Sequence, residues 1–165
     1  MLKPAAAVLL MMCAPLAHAD TTLKIATLAP EGSSWMRLFH DWANKVQERT
    51  SNRVRVKFYA GGVQGDEKDV LRKMRLGQLS GAAVTAIGLA SIDPEVRALE
   101  IARTYDELDG LRAALGETLR KRLEEKGYIL GGWGDVGPVH LFSNRPIKTM
   151  EDIRACKLWM WAEDP

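Results

Sequence analysis

Segments with a strand pattern alternate with segments that have a helical pattern, and this order restricts the fold more than any other feature. Apolar and polar residues alternate from Leu23 to Leu28 and again from Val54 to Tyr59, as in strands with one covered face. Between these segments, large apolar residues recur every three or four positions, as on one face of a helix. These residues are Trp35, Leu38, Phe39, Trp42 and Val46. The strand–helix–strand order predicts parallel strands joined by crossover helices, and therefore an α/β fold with a mostly parallel sheet.

The same alternation continues along the rest of the chain. Four more segments are predicted to be strands: residues 82–87, 128–133, 139–143 and 157–161. One helix is predicted to begin after Asp66 and to end at Gly77, and another to run from Asp106 to Gly127. A third helix start is indicated at Thr149 by the capping-box pattern of residues 149–152.

The first 19 residues have the pattern of a cleaved secretory signal. Lys3 gives a positive start, Ala5 to Leu16 is an uncharged apolar run, and Ala17 and Ala19 are the small residues that precede a cleavage site. The apolar run is too short to span a bilayer as a helix. A buried N-terminal helix is the alternative. The pattern favours secretion, with cleavage after Ala19.

The composition excludes several classes of protein. With 47% hydrophobic and 27% charged residues, the chain is neither disordered nor a multi-span membrane protein. A net charge of +2 gives no reason to expect nucleic acid as a partner. Cys13 leaves with the signal, so Cys156 has no partner for a disulfide. His40 and His140 are far apart and lack a third ligand, and no metal site is predicted.

A glycine-rich segment, residues 132–137, matches the G-x-G-x-x-G pattern of dinucleotide-binding loops. That pattern needs a following helix, whose N-terminus holds the pyrophosphate, whereas Pro138 and a predicted strand follow here. We therefore expect these glycines to allow a tight bend or a close approach of the backbone to a ligand. The G-x-S-x-G, H-E-x-x-H and Walker patterns are absent, so neither an enzyme nor a cofactor is predicted.

Ligands of open α/β sheets bind in the crevice beyond the carboxyl ends of the strands. The loops predicted to lie there are residues 29–34, 61–65, 85–88 and 134–138. Their polar, aromatic and glycine residues, together with the first aromatic residue of the helix that follows, are the candidate ligand-binding residues. They are Pro30, Glu31, Ser33, Trp35, Gln64, Thr85, Gly88, Trp133 and Asp135.

Three segments of the chain resemble one family of transport proteins. They read KIATLAPEGSSW (24–35), VKFYAGGVQGDEKDVLRKMRLGQL (56–79) and NRPIKTMEDIRACKLWMW (144–161). Their order and spacing resemble those of the DctP-type solute-binding receptors of TRAP transporters (tripartite ATP-independent periplasmic transporters). The resemblance covers nearly all of the chain after the signal.

The resemblance implies a periplasmic-binding-protein-like fold, in which two α/β domains close on a solute. Family members are about twice as long as this chain, so it implies an N-terminal domain over 20–138, a hinge strand over 139–145 and the start of a truncated second domain over 146–165. The implied function is to capture a small solute in the periplasm and deliver it to the TRAP permease subunits of the inner membrane. A secreted α/β hydrolase or isomerase is the alternative, and the absence of a nucleophile–base pair speaks against it.

One departure from the family pattern concerns the ligand. Family members that bind organic acids carry an arginine in a K-[ILV]-R pattern, and its guanidinium grips the substrate carboxylate. The matching segment here is Lys157-Leu158-Trp159, and no arginine occurs at residues 137–139, where a second family arginine is usual. Trp159 is thus a further candidate ligand-binding residue. A ligand other than a simple dicarboxylate or a sialic acid is expected, and residues 159–161 are expected to expose apolar surface.

Overall fold

Three parallel strands form the sheet, in the order β2-β1-β3. The computed structural model describes residues 21–137 and 140–159. The strands are β1 (Thr21–Thr27), β2 (Val54–Tyr59) and β3 (Gly81–Ala83). Leu23 of β1 lies opposite Val56 of β2, and Ile25 lies opposite Gly81 of β3. The predicted α/β class with a parallel sheet is confirmed.

Helices connect and cover these strands. They are α1 (Ser34–Arg49), α2 (Glu67–Arg75), α3 (Ala86–Ala90), a 3₁₀ helix (Pro94–Ile101), α4 (Tyr105–Glu125) and α5 (Met150–Arg154). Polar caps set where they begin. Ser33 Oγ accepts a hydrogen bond from Met36 N, and an Asp66 carboxylate oxygen accepts one from Asp69 N. The predicted capping box at Thr149 is present.

The two faces of the sheet are covered by different helices. On one face, Phe39 of α1 stacks on Phe58 of β2 with ring centroids 5.2 Å apart. On the other face, Val70 of α2 packs with Ala26 of β1 and Leu79. Successive strand residues point to opposite faces, which is why one strand pair contributes to both layers.

A second cluster lies between α4 and the 3₁₀ helix. Val96 and Leu99 of the 3₁₀ helix pack against Leu119 of α4, and Trp133 lies against this cluster. The leucines of α4 in this cluster, Leu108, Leu111, Leu115 and Leu119, recur every three or four residues and therefore lie on one face of the helix. The chain after α4 is thereby fixed to the body of the domain at Trp133.

The strand predicted over residues 82–87 is confirmed for residues 82 and 83 and is wrong for residues 84–87. β3 ends at Ala83, and Thr85 caps α3 by accepting a hydrogen bond from Ile87 N at 3.2 Å. The backbone N–H of Thr85 donates to the Glu67 carboxylate at 2.6 Å. These two bonds turn the chain away from the sheet, and neither partner is recognisable from the apolar pattern.

Three other predicted strands are also not found in the described residues. Residues 128–133, 140–143 and 157–159 form no strand, while residues 138, 139, 160 and 161 lie outside the described part of the chain. Around 128–133 the backbone bonds locally, because Tyr128 N donates to Leu123 O and Arg120 donates to Leu130 O. A strand requires a partner strand, which apolar alternation alone does not supply.

The predicted signal, residues 1–19, lies outside the described residues. In the described ranges, 21–137 and 140–159, no helix has the length and apolar character needed to cross a bilayer.

Candidate functional site

The loops that follow β1 and β2 are bonded to one another at the carboxyl edge of the sheet. Gly61 N donates to Ala29 O at 2.9 Å, and Gly62 N donates to Thr27 O at 3.1 Å. A cavity of about 10 Å³ lies between these loops and the end of β3, enough for one water molecule. The cavity is lined by Ala26, Thr27, Leu28, Gly62, Gln64, Gly65, Glu67, Val70, Ala83 and Val84. A molecule larger than water therefore does not fit inside this cavity.

Gln64 is held at this edge by a lysine. The Lys73 ammonium donates to the backbone oxygen of Gln64 at 2.7 Å and to its side-chain oxygen at 3.0 Å. An ammonium group only donates hydrogen bonds, so the amide oxygen must face Lys73. The amide NH₂ of Gln64 is consequently the group turned to other partners, and it donates. Gly65 next to it has φ +97°, and a Cβ there would stand 2.7 Å from Asp69 Cβ, so a larger residue does not fit.

Glu67 joins the start of α2 to the loop after β3. Its carboxylate accepts from the backbone N of Thr85 at 2.6 Å and from the Thr85 hydroxyl at 2.8 Å. Gly88 lies directly against it, and a Cβ there would stand 2.7 Å from Glu67 Oε2 and 2.8 Å from Val84 Cβ. Thr85 and Gly88, both predicted ligand residues, are thus built around a carboxylate that sequence reasoning did not single out.

Another part of the edge is formed by residues 131–137, which lie over the start of α1. A Cβ added at Gly134 would overlap the Trp35 ring, so the backbone of this segment rests on that indole. Both oxygens of the Asp135 carboxylate accept from the guanidinium of Arg112 on α4. The Arg112 guanidinium also lies 5.6 Å from the centroid of the Trp133 ring.

The Arg112–Asp135 pair shifts the pKa values of both side chains. A hydrogen bond from the Arg112 guanidinium lowers the pKa of the Asp135 carboxyl below its usual value, and the same bond raises the pKa of Arg112. Nε of Arg112 is buried without a hydrogen-bond partner in this structure. Asp135 therefore serves to hold residues 131–137 on α4, and a role for it in ligand binding remains a prediction.

The loop after β1 is ordered by its own contacts. Ser33 N donates to Pro30 O at 3.1 Å, which closes the turn before α1. Glu31 is mostly exposed and pairs with His40, with 2.9 Å between Glu31 Oε1 and His40 Nε2. Ser33 caps α1 through its side-chain oxygen. These residues give the first loop a fixed shape, and ligand contacts from them remain predictions.

The predicted ligand residues therefore fall into four places, and the loop after β1 with Pro30, Glu31 and Ser33 is one of them. Gln64 lines the small cavity together with Glu67, and Thr85 and Gly88 lie against the Glu67 carboxylate. Trp35, Trp133 and Asp135 are brought together around residue 134. Trp159 is 76% exposed, and its ligand role stays a prediction. In the described parts of the chain, no group of three His, Cys, Asp or Glu side chains is placed to hold a metal ion.

Sequence reasoning missed Glu67, Lys73 and Arg112 as organising residues of the site. Glu67 had a weak signal, because it directly follows the capping residue Asp66 at a loop–helix junction. Lys73 and Arg112 had none, because each lies in a helix where a basic residue is ordinarily solvated.

Comparison with known proteins decides the family. The family model of DctP, bacterial extracellular solute-binding protein, family 7, matches residues 25–161. The chain belongs to this family. The match includes both the strand–helix unit with its carboxyl-edge loops and the segment that contains α5.

Relatives and solved structures agree with this assignment. A solute-binding protein of Chromohalobacter salexigens is 26% identical over 133 residues, which are 78% of this chain and 40% of the relative. The sialic acid-binding periplasmic protein SiaP of Vibrio cholerae is 25% identical over 158 residues, 92% of this chain and 49% of SiaP. The chain thus spans less than half the length of these two curated relatives.

The fold is also shared with a crystal structure. A TRAP periplasmic solute-binding protein of Citrobacter koseri with bound D-glucuronate superposes with a TM-score of 0.73 at 22% identity. The superposition covers 80% of this DctP-family chain and 46% of that protein. The expected periplasmic-binding-protein fold is confirmed over this part of it.

Proposed function

We propose that this chain forms the N-terminal wall of a periplasmic solute receptor, which captures a small solute and delivers it to the permease subunits of a TRAP-type importer. The observation that carries the proposal is the carboxyl edge of the sheet in a DctP-family chain. There, hydrogen bonds connect the loops after all three strands, and Gln64 lines a cavity of only about 10 Å³. Such an edge is a binding surface that needs an opposing wall.

Capture would then proceed by closure of two domains. Residues 20–138 would form the N-terminal domain, residues 139–145 the hinge and residues 146–165 the beginning of the second domain. A solute in contact with both walls stabilises the closed state and shifts the equilibrium toward it. The permease would recognise the closed receptor, and secretion with cleavage after Ala19 would place the receptor in the periplasm.

A binding role also agrees with the contact that Ser33 makes. Ser33, in the loop after β1, uses its side-chain oxygen to cap α1. A nucleophile instead needs a base within hydrogen-bond reach of its hydroxyl. Because the chain's family consists of solute-binding proteins, we propose binding without catalysis, and no cofactor is required.

We further propose that the solute is apolar, aromatic or a neutral polar compound. D-glucuronate, which is bound to the related Citrobacter koseri protein, and sialic acid, for which SiaP is named, both carry a carboxylate. A buried carboxylate needs a charged partner or several donors, and a guanidinium supplies two parallel hydrogen bonds. Trp159, where the family pattern has arginine, offers one N–H and a large apolar face.

Calorimetry on the complete gene product tests this ligand class. D-glucuronate and succinate should bind far more weakly than the preferred neutral or aromatic solute, and Trp159→Arg should reverse this order. Tight binding of either acid by the natural protein, unchanged by Trp159→Arg, would show that other residues hold the carboxylate. The receptor function itself would survive that outcome.

A solute screen tests the receptor function. The complete gene product is heated with a panel of sugar acids, dicarboxylates, neutral sugars and aromatic solutes, each also followed for chemical change. Stabilisation by one solute without its consumption is expected, because a ligand that binds only the folded state raises its apparent stability. Turnover of a solute would instead favour the hydrolase or isomerase alternative.

A further inference from the structure

The guanidinium of Arg112 on α4 is fixed by its surroundings. The Arg112 side chain is only 18% exposed. Its Cζ lies 5.6 Å from the centroid of the Trp133 ring, and its Nε is buried without a hydrogen-bond partner in the described part of the chain. Burial and ring contact restrict the rotamers of this long side chain, so less conformational entropy is lost when the group binds an anion. Arg112 therefore has the properties of a preformed carboxylate-binding group.

The carboxylate that Arg112 holds belongs to the chain itself. Nη1 of Arg112 donates to Asp135 Oδ2 at 3.0 Å, and Nη2 donates to Asp135 Oδ1. A guanidinium recognises the carboxylate of a small molecule by the same two parallel hydrogen bonds. Asp109 also lies near, 3.6 Å from Nη1, but its side chain is 75% exposed and its attraction is largely screened by water. Asp135 thus takes the place that a solute carboxylate would take on Arg112.

The Arg112–Asp135 pair lies beside the edge where the solute is proposed to bind. Gly134, next to Asp135, rests on the ring of Trp35 in the first turn of α1. The Asp135 side chain is 34% exposed, so one side of the pair is open. No backbone–backbone hydrogen bond connects residues 131–137 to the other described residues. The segment therefore depends on its side chains for its position, and another carboxylate can compete with Asp135 for Arg112.

Arg37 provides a comparison, because it is a second guanidinium close to this edge. Its Nη1 donates to the backbone oxygen of Gly32 at 2.7 Å, and the residue is exposed. An exposed guanidinium is solvated, and its attraction for a carboxylate is weak. Arg112 is mostly shielded from water, where the same attraction is stronger. Of these two cations, Arg112 is therefore the one whose charge matters more for the choice between anionic and neutral solutes.

We propose that Asp135 is a specificity-determining residue, which occupies Arg112 in place of a solute carboxylate and thereby disfavours anionic solutes. An acid would have to displace Asp135, and two carboxylates would then compete for one guanidinium. A neutral solute leaves the pair intact. This role of Asp135 rests on the proposed receptor function, and it favours a neutral ligand independently of Trp159.

The test compares matched acids and amides by calorimetry on the complete gene product. The pairs are D-glucuronate with D-glucuronamide and succinate with succinamide, whose members differ in charge but hardly in size. Asp135→Asn should raise the affinity for the acid relative to its amide about tenfold, because it frees the Arg112 guanidinium for charge-assisted hydrogen bonds. Asp109→Asn removes a charge near the same guanidinium from an exposed position, and it should change this ratio less than about twofold.

Double substitutions identify the cation that binds the acid. The gain for the acid should disappear when Arg112→Gln is added to Asp135→Asn, and it should remain when Arg37→Gln is added instead. A pair that only fastens the segment would weaken acid and amide alike in Asp135→Asn, and the unchanged ratio would overturn the proposal. Undetectable binding of both acids by Asp135→Asn would overturn it as well. Binding of any solute of the thermal screen to the natural protein would leave the receptor function standing in either case.

Discussion

Asp93 has no exposed side-chain surface, yet it carries a charge. Arg122 donates to both of its oxygens, at 2.7 and 3.1 Å, and Glu95 N donates to it at 3.1 Å. The hydrogen bond from Arg122 is the main cause that lowers the pKa of Asp93 from 3.8 to about 2, against the opposing effect of burial. This carboxylate connects the start of the 3₁₀ helix to the last turns of α4.

Replacement of Asp93 by asparagine should lower the free energy of unfolding by about 3 kcal/mol. This is the low end of the range for a broken buried pair, because the Arg122 side chain remains 36% exposed and can turn to water. Urea unfolding at pH 7 measures the change. Glu95→Gln is the matched control, since Glu95 contacts the same arginine from the surface, and it should cost less than about 1 kcal/mol. Equal effects of the two variants would contradict this role of Asp93.

The same carboxylate predicts a pH dependence of stability. Its pKa is lower in the folded than in the unfolded state, so its contribution is complete above about pH 4 and is lost as the pH falls toward about 2. The pKa values of Asp135 and Asp152 are lowered as well, and they add to the same trend. Unfolding free energies measured from pH 6 to pH 2 should fall less steeply in Asp93→Asn than in the natural chain. An equal pH dependence of the unfolding free energy in both proteins would show that Asp93 has the same pKa in the folded and the unfolded state.

Gly88 gives a second prediction for a single position. A methyl group there meets Glu67 Oε2 at 2.7 Å and Val84 Cβ at 2.8 Å, so Gly88→Ala should destabilise the chain by about 2 kcal/mol. Gly116→Ala, inside α4 with nothing within 4 Å, should instead stabilise it by about 0.7 kcal/mol. Urea unfolding compares the two. An equal gain in stability for both variants would show that Glu67 can move away from the added methyl group without loss of stability.

Among the elements of the fold, residues 131–137 depend most clearly on one side-chain pair. Asp135→Asn removes the charge that Arg112 holds, and the segment should then move more freely above Trp35. We expect amide order parameters in 131–137 to fall from about 0.85 to below about 0.6 in ¹⁵N relaxation. Asp109→Asn is the control, because Asp109 lies 3.6 Å from the same guanidinium but is 75% exposed. Unchanged order parameters in Asp135→Asn would mean that Trp133 alone fixes the segment.

The sequence predicted elements that depend on neighbouring residues better than elements that depend on distant ones. The starts of α1, α2 and α5 were predictable because a cap acts within three residues. The strand predicted over 128–133 was wrong because strand formation depends on a distant partner. The Glu67–Thr85 and Arg112–Asp135 contacts join residues 18 and 23 positions apart, and such pairs leave no periodic signal.

On the scale of the whole molecule, the chain presents one wall of a binding site. The cavity of about 10 Å³ is far smaller than the hundreds of Å³ of an ordinary ligand pocket. We therefore expect the 165-residue chain by itself to show no measurable affinity for a solute that the complete gene product binds. Calorimetry with both proteins at equal concentration checks this. Micromolar binding by the 165-residue chain would show that its carboxyl edge suffices.

The most direct test of the receptor account compares two glutamine substitutions in the complete gene product. Gln64 lies at the carboxyl edge, whereas Gln78 follows α2 at the opposite edge of the sheet. Calorimetry is done with the solute that gives the largest stabilisation in the screen. Gln64→Leu should weaken binding about tenfold, because the solute loses a donor in a closed site, and Gln78→Leu should leave it unchanged. Unaltered affinity in Gln64→Leu, or equal loss in both variants, would contradict binding at the carboxyl edge.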